Sequence, residues 1–381
     1  MDDASPPKWH LAHTSWFFET FILREHLEGY RCFNPQFETL FNSYYNGVGH
    51  PFPRPRRGHL SRPTVEEVYA YRAQVDEAML GLLEQRDPKV LQLTELGLHH
   101  EQQHQELLLT DLKYNFGHNP LAPAYGGDAS ASAPPSALSF TQFAGGLTEI
   151  GRDPQAPGFK FDNECPVHQV MVQPFALADR LVSNGEFLAF VNDGGYADPA
   201  LWLSEGWAIV QDQGWRSPLY WQQREDAWFE YRLDGLHPLD PNLPAVHLSA
   251  HECFAYATWA NRRLPTEFEL ECVLLQCPPD PEQGFVENAR FHPAGYQTAP
   301  GLQQLHGQVW QWTQSSYGPY PGFEPLPGTL GEYNGKFMSS QLVLRGGSCA
   351  TPSSHMRPTY RNFFYPPDRW QFSGLRLAHD V

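Results

Sequence analysis

The chain has 381 residues, enough for two domains or one large one with a well-buried core. Its 26 Lys and Arg against 43 Asp and Glu give a formal net charge of −17, which excludes a phosphate-gripping surface and so a nucleic-acid partner. With 41% hydrophobic and 14% aromatic residues the chain is not disordered, and no apolar run approaches the roughly 20 residues of a membrane helix.

The opening Met1-Asp2-Asp3-Ala4-Ser5-Pro6 has neither a basic nor an apolar leader, so a cytoplasmic protein without a membrane partner is expected. After the start signal Ser5-Pro6-Pro7, Trp9, His13, Trp16, Phe17, Thr20 and Phe21 recur at helical intervals and predict a first helix. A second begins at Thr64, a cap followed by Glu66 and Glu67, and continues through Val68, Tyr71, Val75, Met79 and Leu82. A third runs from about Lys89 to Phe116. Three long helices predict an N-terminal helical bundle. From Asn119 to Ser139, Pro, Gly, Ala and Ser displace any periodicity, which reads as a flexible linker. Beyond it, short apolar stretches are punctuated by Gly, Pro, Asn and Asp, with helices chiefly at Ser183 to Asn192 and Ala250 to Asn261. The fold class is therefore α+β with two domains: residues 1–125, a linker at 126–139, and a loop-rich domain at 140–381. The 35 prolines and 31 glycines, above the average share of about 12%, mark much of the chain as ordered loop. Six cysteines without a CxxC pair suggest neither a disulfide framework nor a zinc ribbon.

The third helix contains His99-His100-Glu101-Gln102-Gln103-His104-Gln105-Glu106. One turn apart on one face, His100 and His104 can meet a single metal ion; a hydrogen-bonded core face is the ordinary alternative. As HExxH the stretch also fits a zinc metallopeptidase with Glu101 as general base. Only Glu106 and Asp111 lie near as a third ligand, however, and on a helix Glu101 points away from the His100 and His104 bisector. His13 lies on an aromatic face of the first helix, where an unpaired imidazole is costly. Alone it reads as a satisfied core residue. With the other two it makes a set of neutral imidazoles suited to a redox metal that keeps positions open for substrate and oxygen.

Trp9-His10-Leu11-Ala12-His13-Thr14, Asn42-Ser43-Tyr44-Tyr45, Ser61-Arg62-Pro63, His100 to Glu106 and Arg345-Gly346-Gly347-Ser348-Cys349 to Arg376 together resemble the sulfoxide synthases of ergothioneine biosynthesis, which are nonheme iron enzymes. The resemblance spans nearly the whole chain. It implies a DinB-like bundle followed by a formylglycine-generating-enzyme-like, C-type-lectin-like domain, supported by Arg263-Leu264-Pro265-Thr266-Glu267, Gly307-Gln308-Val309-Trp310-Gln311-Trp312-Thr313 and Tyr320-Pro321-Gly322-Phe323. Relatives begin with a further helix ahead of the Trp9 region, whereas this sequence starts almost directly at Pro6-Pro7-Lys8-Trp9.

The resemblance further implies that His13, His100 and His104 hold ferrous iron, Fe(2+), and that cysteine sulfur is joined with O2 to imidazole C2 of hercynine, N-trimethylhistidine. Gln103 matches a position that contacts the substrate imidazole. Tyr44 and Tyr45 match a tyrosine pair that supplies a proton and steers away from thiol dioxygenation. Tyr320, Asn362 and Phe363 match positions around the quaternary ammonium, which aromatic faces can hold. Arg57, and after it Arg54, are the candidate carboxylate clamps. Relatives that take γ-glutamylcysteine carry an acidic residue where this chain has Phe364, which favours free cysteine as donor. A selenoneine synthase using a selenosugar with hercynine is the neighbouring alternative; the zinc peptidase and a ligand-binding module are the distant ones. Cys349 by itself cannot supply the cysteine pair of a formylglycine-generating enzyme, so that activity is not expected.

Overall fold

The computed structural model describes residues 4–127, 134–282, 284–296 and 301–381. It divides into two compact units. The first comprises residues 1–115 with Pro157–Phe159 and Pro325–Lys336; the second comprises 116–156, 160–324 and 337–381.

In the first unit, α1 (Pro7–Phe18) opens behind Pro6 with Pro7 in its first turn, where a missing N–H costs nothing. Nine of its twelve residues are buried, so it is a core helix rather than a surface amphipath. One π-type turn (Glu19–Leu23) and the short α2 (Arg24–His26) follow, then α3 (Phe37–Leu40). Indole N–H groups of Trp9 and Trp16 donate to the Leu40 and Glu38 carbonyls, which pins α1 to the 38–41 stretch. Helix α4 (Val65–Leu83) starts at the expected Thr64: its hydroxyl accepts from the Glu67 N–H while the Glu67 carboxylate accepts from the Thr64 N–H at 2.7 Å. Its buried stripe is Val68, Tyr71, Val75, Met79 and Leu82, the periodic set read from the sequence. Buried Glu19 gathers Tyr30, Tyr71 and the Phe33 N–H, satisfying a carboxylate inside this aromatic core. Helix α5 (Pro88–Gly117) is capped by Asp87, whose Oδ1 accepts from the N–H groups of Lys89 and Val90.

Of the expected linker at 126–139, residues 128–133 lie outside the described ones. On either side of them the chain is tied into the second unit: the N–H groups of Tyr125 and Gly126 donate to Leu233 O, and Arg180 donates twice to Ser136 O. The second unit is strand-built. Strands β1 (Phe140–Phe143), β4 (Phe175–Ala178) and β12 (Ala378–Asp380) form one antiparallel sheet in the order β1-β4-β12. Another has the order β10-β9-β8-β11, with β8 (Trp310–Ser316), β9 (Leu342–Arg345), β10 (Asn362–Phe364) and β11 (Ser373–Gly374). The pair β2 (Gly146–Ile150) and β3 (His168–Val172) and the meander β5 (Trp221–Arg224), β6 (Ala227–Arg232) and β7 (Gly235–Pro238) complete the strands among the described residues. Helices α6 (Asn184–Asn192) and α8 (Ala250–Trp259) stand where expected, each opened by a Ser capping box; α7 (Ser204–Gln213) and α9 (Glu267–Gln276) are additional. Helix α9 packs Leu270, Val273 and Leu274 against Val172, Phe175, Leu177 and Ala378.

Beside that core, Arg345 and Arg361 both donate to the Glu267 carboxylate, Arg345 also to Glu271 at 2.6 Å, and all four are buried. No disulfide joins any of the six cysteines. Among the described residues no helix is long and apolar enough to cross a membrane.

Candidate metal centre

Helix α1 carries His10 and His13, and α5 carries His100 and His104, all within the first unit. His13 Nε2 stands 3.2 Å from His100 Nε2, and one ring nitrogen from each of His13, His100 and His104 lies within 4.8 Å of the others. Two imidazoles sharing one ion at metal–nitrogen distances of about 2.1 Å have nitrogens roughly 3 Å apart, so the spacing suits a common ligand.

The protonation pattern fits as well. His13 Nδ1–H donates to Phe41 O at 2.6 Å, because a carbonyl can only accept; this leaves the Nε2 lone pair facing inward. The ring is stacked between two indoles, Trp9 at 4.7 Å and Trp16 at 5.6 Å. Burial, then the neighbouring His100, holds His13 well below the usual histidine range. Burial lowers His100 to about 3, and burial followed by the charges of His13 and His100 lowers His104. All three are therefore neutral at neutral pH, the form in which imidazole ligates a metal. His100 Nδ1 is buried and has no hydrogen-bond partner among the described residues.

Phenols stand next to the residues that flank this cluster, Tyr45 against Trp16 and Tyr333 against His100. Asn42 builds the turn that presents Tyr44 and Tyr45: its side chain accepts from the Tyr45 N–H and donates to the carbonyls of Tyr45 and Gly49. Tyr44 and Tyr45 lie 4.6 Å apart, ring to ring. Burial first, then the neighbouring Tyr44 and Tyr333, keeps the Tyr45 hydroxyl well above the usual tyrosine range. Tyr333 sits edge-on to His100 at 5.6 Å and donates to Gln103 Oε1. Glu332 accepts from the N–H groups of Asn46 and Gly47, and Lys336 donates to Glu332 and to Tyr44 O, so the 325–336 segment clasps the tyrosine loop. A side chain at Gly47 would meet Thr329 Oγ1 at 2.5 Å, which explains glycine at that crossing. Arg57 is buried with its guanidinium 3.6 Å above the Trp9 ring and donates to Ser5 and Ser43; Arg54 is exposed.

A family model of the sulfatase-modifying factor enzyme 1-like domain matches residues 129–274 and 284–381. The chain is 31% identical over 417 residues to a hercynine oxygenase of Mycolicibacterium thermoresistibile, covering 99% of this chain and 88% of that protein. It is likewise 31% identical over 412 residues to the hercynine oxygenase of Mycobacterium tuberculosis, covering 99% and 91%. The chain belongs to the hercynine oxygenase family, the sulfoxide synthases of ergothioneine biosynthesis. It is 28% identical over 285 residues to a formylglycine-generating enzyme of Thermomonospora curvata, which covers 60% of this chain and 89% of the relative.

In this member of the hercynine oxygenase family, the expected His13, His100, His104, Tyr44, Tyr45, Gln103 and Arg57 all fall in the first unit: the three histidines converge, Tyr333 meets Gln103, Tyr44 and His100, Trp16 meets His13 and Tyr45, and Arg57 reaches His13 through Trp9. Tyr320, Asn362, Phe363 and Phe364 belong to the second. There Tyr320 is buried, with its hydroxyl between Glu267 and Arg345 and Arg361 4.0 Å over its ring. Phe363 stacks on Tyr317 at 4.1 Å, Asn362 Oδ1 accepts from the Phe363 N–H, and Phe364 meets Trp370 edge-on at 5.5 Å. Glu101 pairs with Arg72 of α4 at 2.8 Å, and Arg72 also donates to Thr14, so the carboxylate of the HExxH pattern is turned to the neighbouring helix. Sequence reasoning missed Tyr333, which lies 230 positions from its partner Gln103. Nor does the local sequence assign roles to His10 and Asp111, which depend on the contacts between α1 and α5.

Proposed function

We propose that the chain is an O2-dependent sulfoxide synthase that joins the sulfur of free cysteine to imidazole C2 of hercynine, with Fe(2+) held by His13, His100 and His104. The observation that carries this reading is the convergence of three neutral imidazoles within 4.8 Å in a chain 31% identical, over almost its whole length, to hercynine oxygenases. Ferrous iron, when bound, supplies the one-electron chemistry by which triplet dioxygen reacts with closed-shell substrates. In balance, hercynine C2–H, a thiol S–H and O2 give one carbon–sulfur bond, one sulfoxide oxygen and water.

The protein's own groups bind, orient and deliver protons. With its pKa held high, the Tyr45 phenol keeps its proton at neutral pH and is a donor beside the His cluster; Tyr44, against it, is its partner in that role. Gln103, whose amide oxygen accepts from Tyr333, is the residue proposed to contact the substrate imidazole. Arg57, stacked on Trp9, and Arg54 are proposed for substrate carboxylates. A trimethylammonium has no N–H to donate, and Phe363 with Asn362 is the proposed recognition element for it. Phe364 supplies no charge for a donor ammonium, in keeping with cysteine.

Protein loaded anaerobically with Fe(2+), then given hercynine, cysteine and O2, is expected to form hercynylcysteine sulfoxide, identified by mass spectrometry. Hercynine left unconsumed under these conditions would refute the proposal. Competition between cysteine and a selenosugar tests the choice of donor.

A further inference from the structure

His104 is the one member of the triad whose outer nitrogen is engaged by another histidine. Its Nδ1 lies 3.0 Å from Nδ1 of His10, and His10 Nε2 lies 3.1 Å from Oδ2 of Asp111. His10 and Asp111 are buried. His104 and Asp111, two helical turns apart on α5, face His10 of α1, so the three groups form a line of hydrogen bonds along the interior of the first unit. The same Asp111 oxygen accepts from the Ser5 N–H at 2.9 Å, which fixes the carboxylate from the chain segment ahead of α1. Trp9 meets the His10 ring edge-on at 5.8 Å and holds its plane.

We propose that Asp111 and His10 are positioning residues that set the tautomer and the aim of His104, forming a carboxylate–imidazole–imidazole relay behind the metal centre. The proposal rests on the reading of His13, His100 and His104 as metal ligands, but not on any substrate. Each step follows from donor and acceptor inventory. An ionised carboxylate can only accept, so the proton between Asp111 and His10 resides on His10 Nε2. In that tautomer His10 carries its lone pair at Nδ1, and the contact with His104 requires the proton on His104 Nδ1. His104 Nε2 is thereby left as a lone pair, the form a metal needs. The opposite arrangement, with the proton on His104 Nε2, removes that ligand from the set.

Phe41 O performs the equivalent task for His13 with a single backbone carbonyl. Behind His104 the acceptor is instead a carboxylate, reached through one ring. Outer partners of this kind orient a ligand and raise its basicity, and their loss typically weakens metal binding by about 10- to 100-fold.

The test uses the full chain freed of metal and titrated with Co(II), followed by visible absorption and calorimetry, so that the readout is independent of turnover. Asp111→Asn and His10→Phe are expected to bind Co(II) about 10- to 100-fold more weakly than wild type. Asn neutralises the acceptor and can rotate to donate, which admits the wrong tautomer; Phe removes the relay. His10→Gln should recover affinity to within about threefold, because its amide oxygen replaces Nδ1 and its NH2 replaces Nε2–H. Nitrogen-15 NMR of the metal-free wild type should find the His104 proton on Nδ1, a result that does not depend on any variant folding. Variants that fold and bind Co(II) as tightly as wild type, or a wild-type His104 protonated at Nε2, would overturn the relay while leaving the metal centre intact. A wild type that binds no Co(II) would overturn both.

Discussion

Tyr44 and Tyr45 are adjacent in sequence but not equivalent in setting. Tyr45 is fully buried against Trp16 and Phe21, with its hydroxyl held protonated, whereas Tyr44 carries the Lys336 ammonium 5.2 Å over its ring. Proton donation by a positioned side chain is worth about 10² to 10⁴-fold, so Tyr45→Phe is expected to slow sulfoxide formation by at least about 100-fold. Oxygen use should divert toward cysteine sulfinate, measured as the ratio of the two products. Tyr44→Phe should have the smaller effect; equal losses in both would deny Tyr45 the leading part. The histidines that carry the site were legible because a helix makes the interval of four meaningful. Tyr333 was not, since nothing in Gly331-Glu332-Tyr333-Asn334-Gly335 distinguishes a turn from a site until the chain has folded back.

At the scale of the helices, the HExxH pattern shows how one spacing permits two readings. Four residues apart brings His100 and His104 together, and the same 3.6-residue period turns Glu101 toward α4, where Arg72 binds it. Glu101→Gln is therefore expected to retain metal and to form sulfoxide within a fewfold of wild type. A loss of turnover beyond about 100-fold with metal retained would instead mark Glu101 as an acid or base of the reaction. The capping box that opens α4 was read correctly because its signal is local: an oxygen and a carboxylate three residues apart. Thr64→Ala should lower stability by about 1 kcal/mol without altering metal content, as checked by denaturant unfolding and metal analysis. Helix α9 begins with the same kind of box, Thr266 to Glu269. Its local start signal was there, but its role as the support for the Glu267 and Glu271 network depends on Arg345 and Arg361, 74 to 94 positions away.

At the scale of the whole molecule, buried ion pairs hold the second unit together. Glu267 joins two arginines there, and both arginines are buried; removing the shared carboxylate with Glu267→Gln leaves uncompensated charge and should cost about 3 to 5 kcal/mol. Unfolding followed by both near- and far-ultraviolet circular dichroism would measure it. A pH dependence follows from His306, buried with Nε2–H donating to Cys277 O at 2.7 Å and with its pKa lowered by burial to about 4. Lowered in the folded state, that group binds its proton more readily when the chain unfolds. Its contribution is thus present above the ordinary value of 6.5 and is lost as pH falls toward about 4, on the order of 3 kcal/mol in all. Wild type should lose stability over that interval more steeply than His306→Gln in melting experiments; parallel curves would contradict it.

By itself the sequence determined the acidic, two-part α+β organisation, the three long helices, the Thr64 cap of the second and the histidine spacing. Each of these is encoded within a few residues by hydrogen-bond geometry and by the period of the helix. Tertiary structure decided which histidine nitrogen faces inward, that Asp111 stands behind His104 through His10, that Tyr333 reaches Gln103, and that Glu101 belongs to Arg72. Those are contacts between segments far apart in the chain, and only packing of the buried faces selects among the many partners that local pattern leaves available.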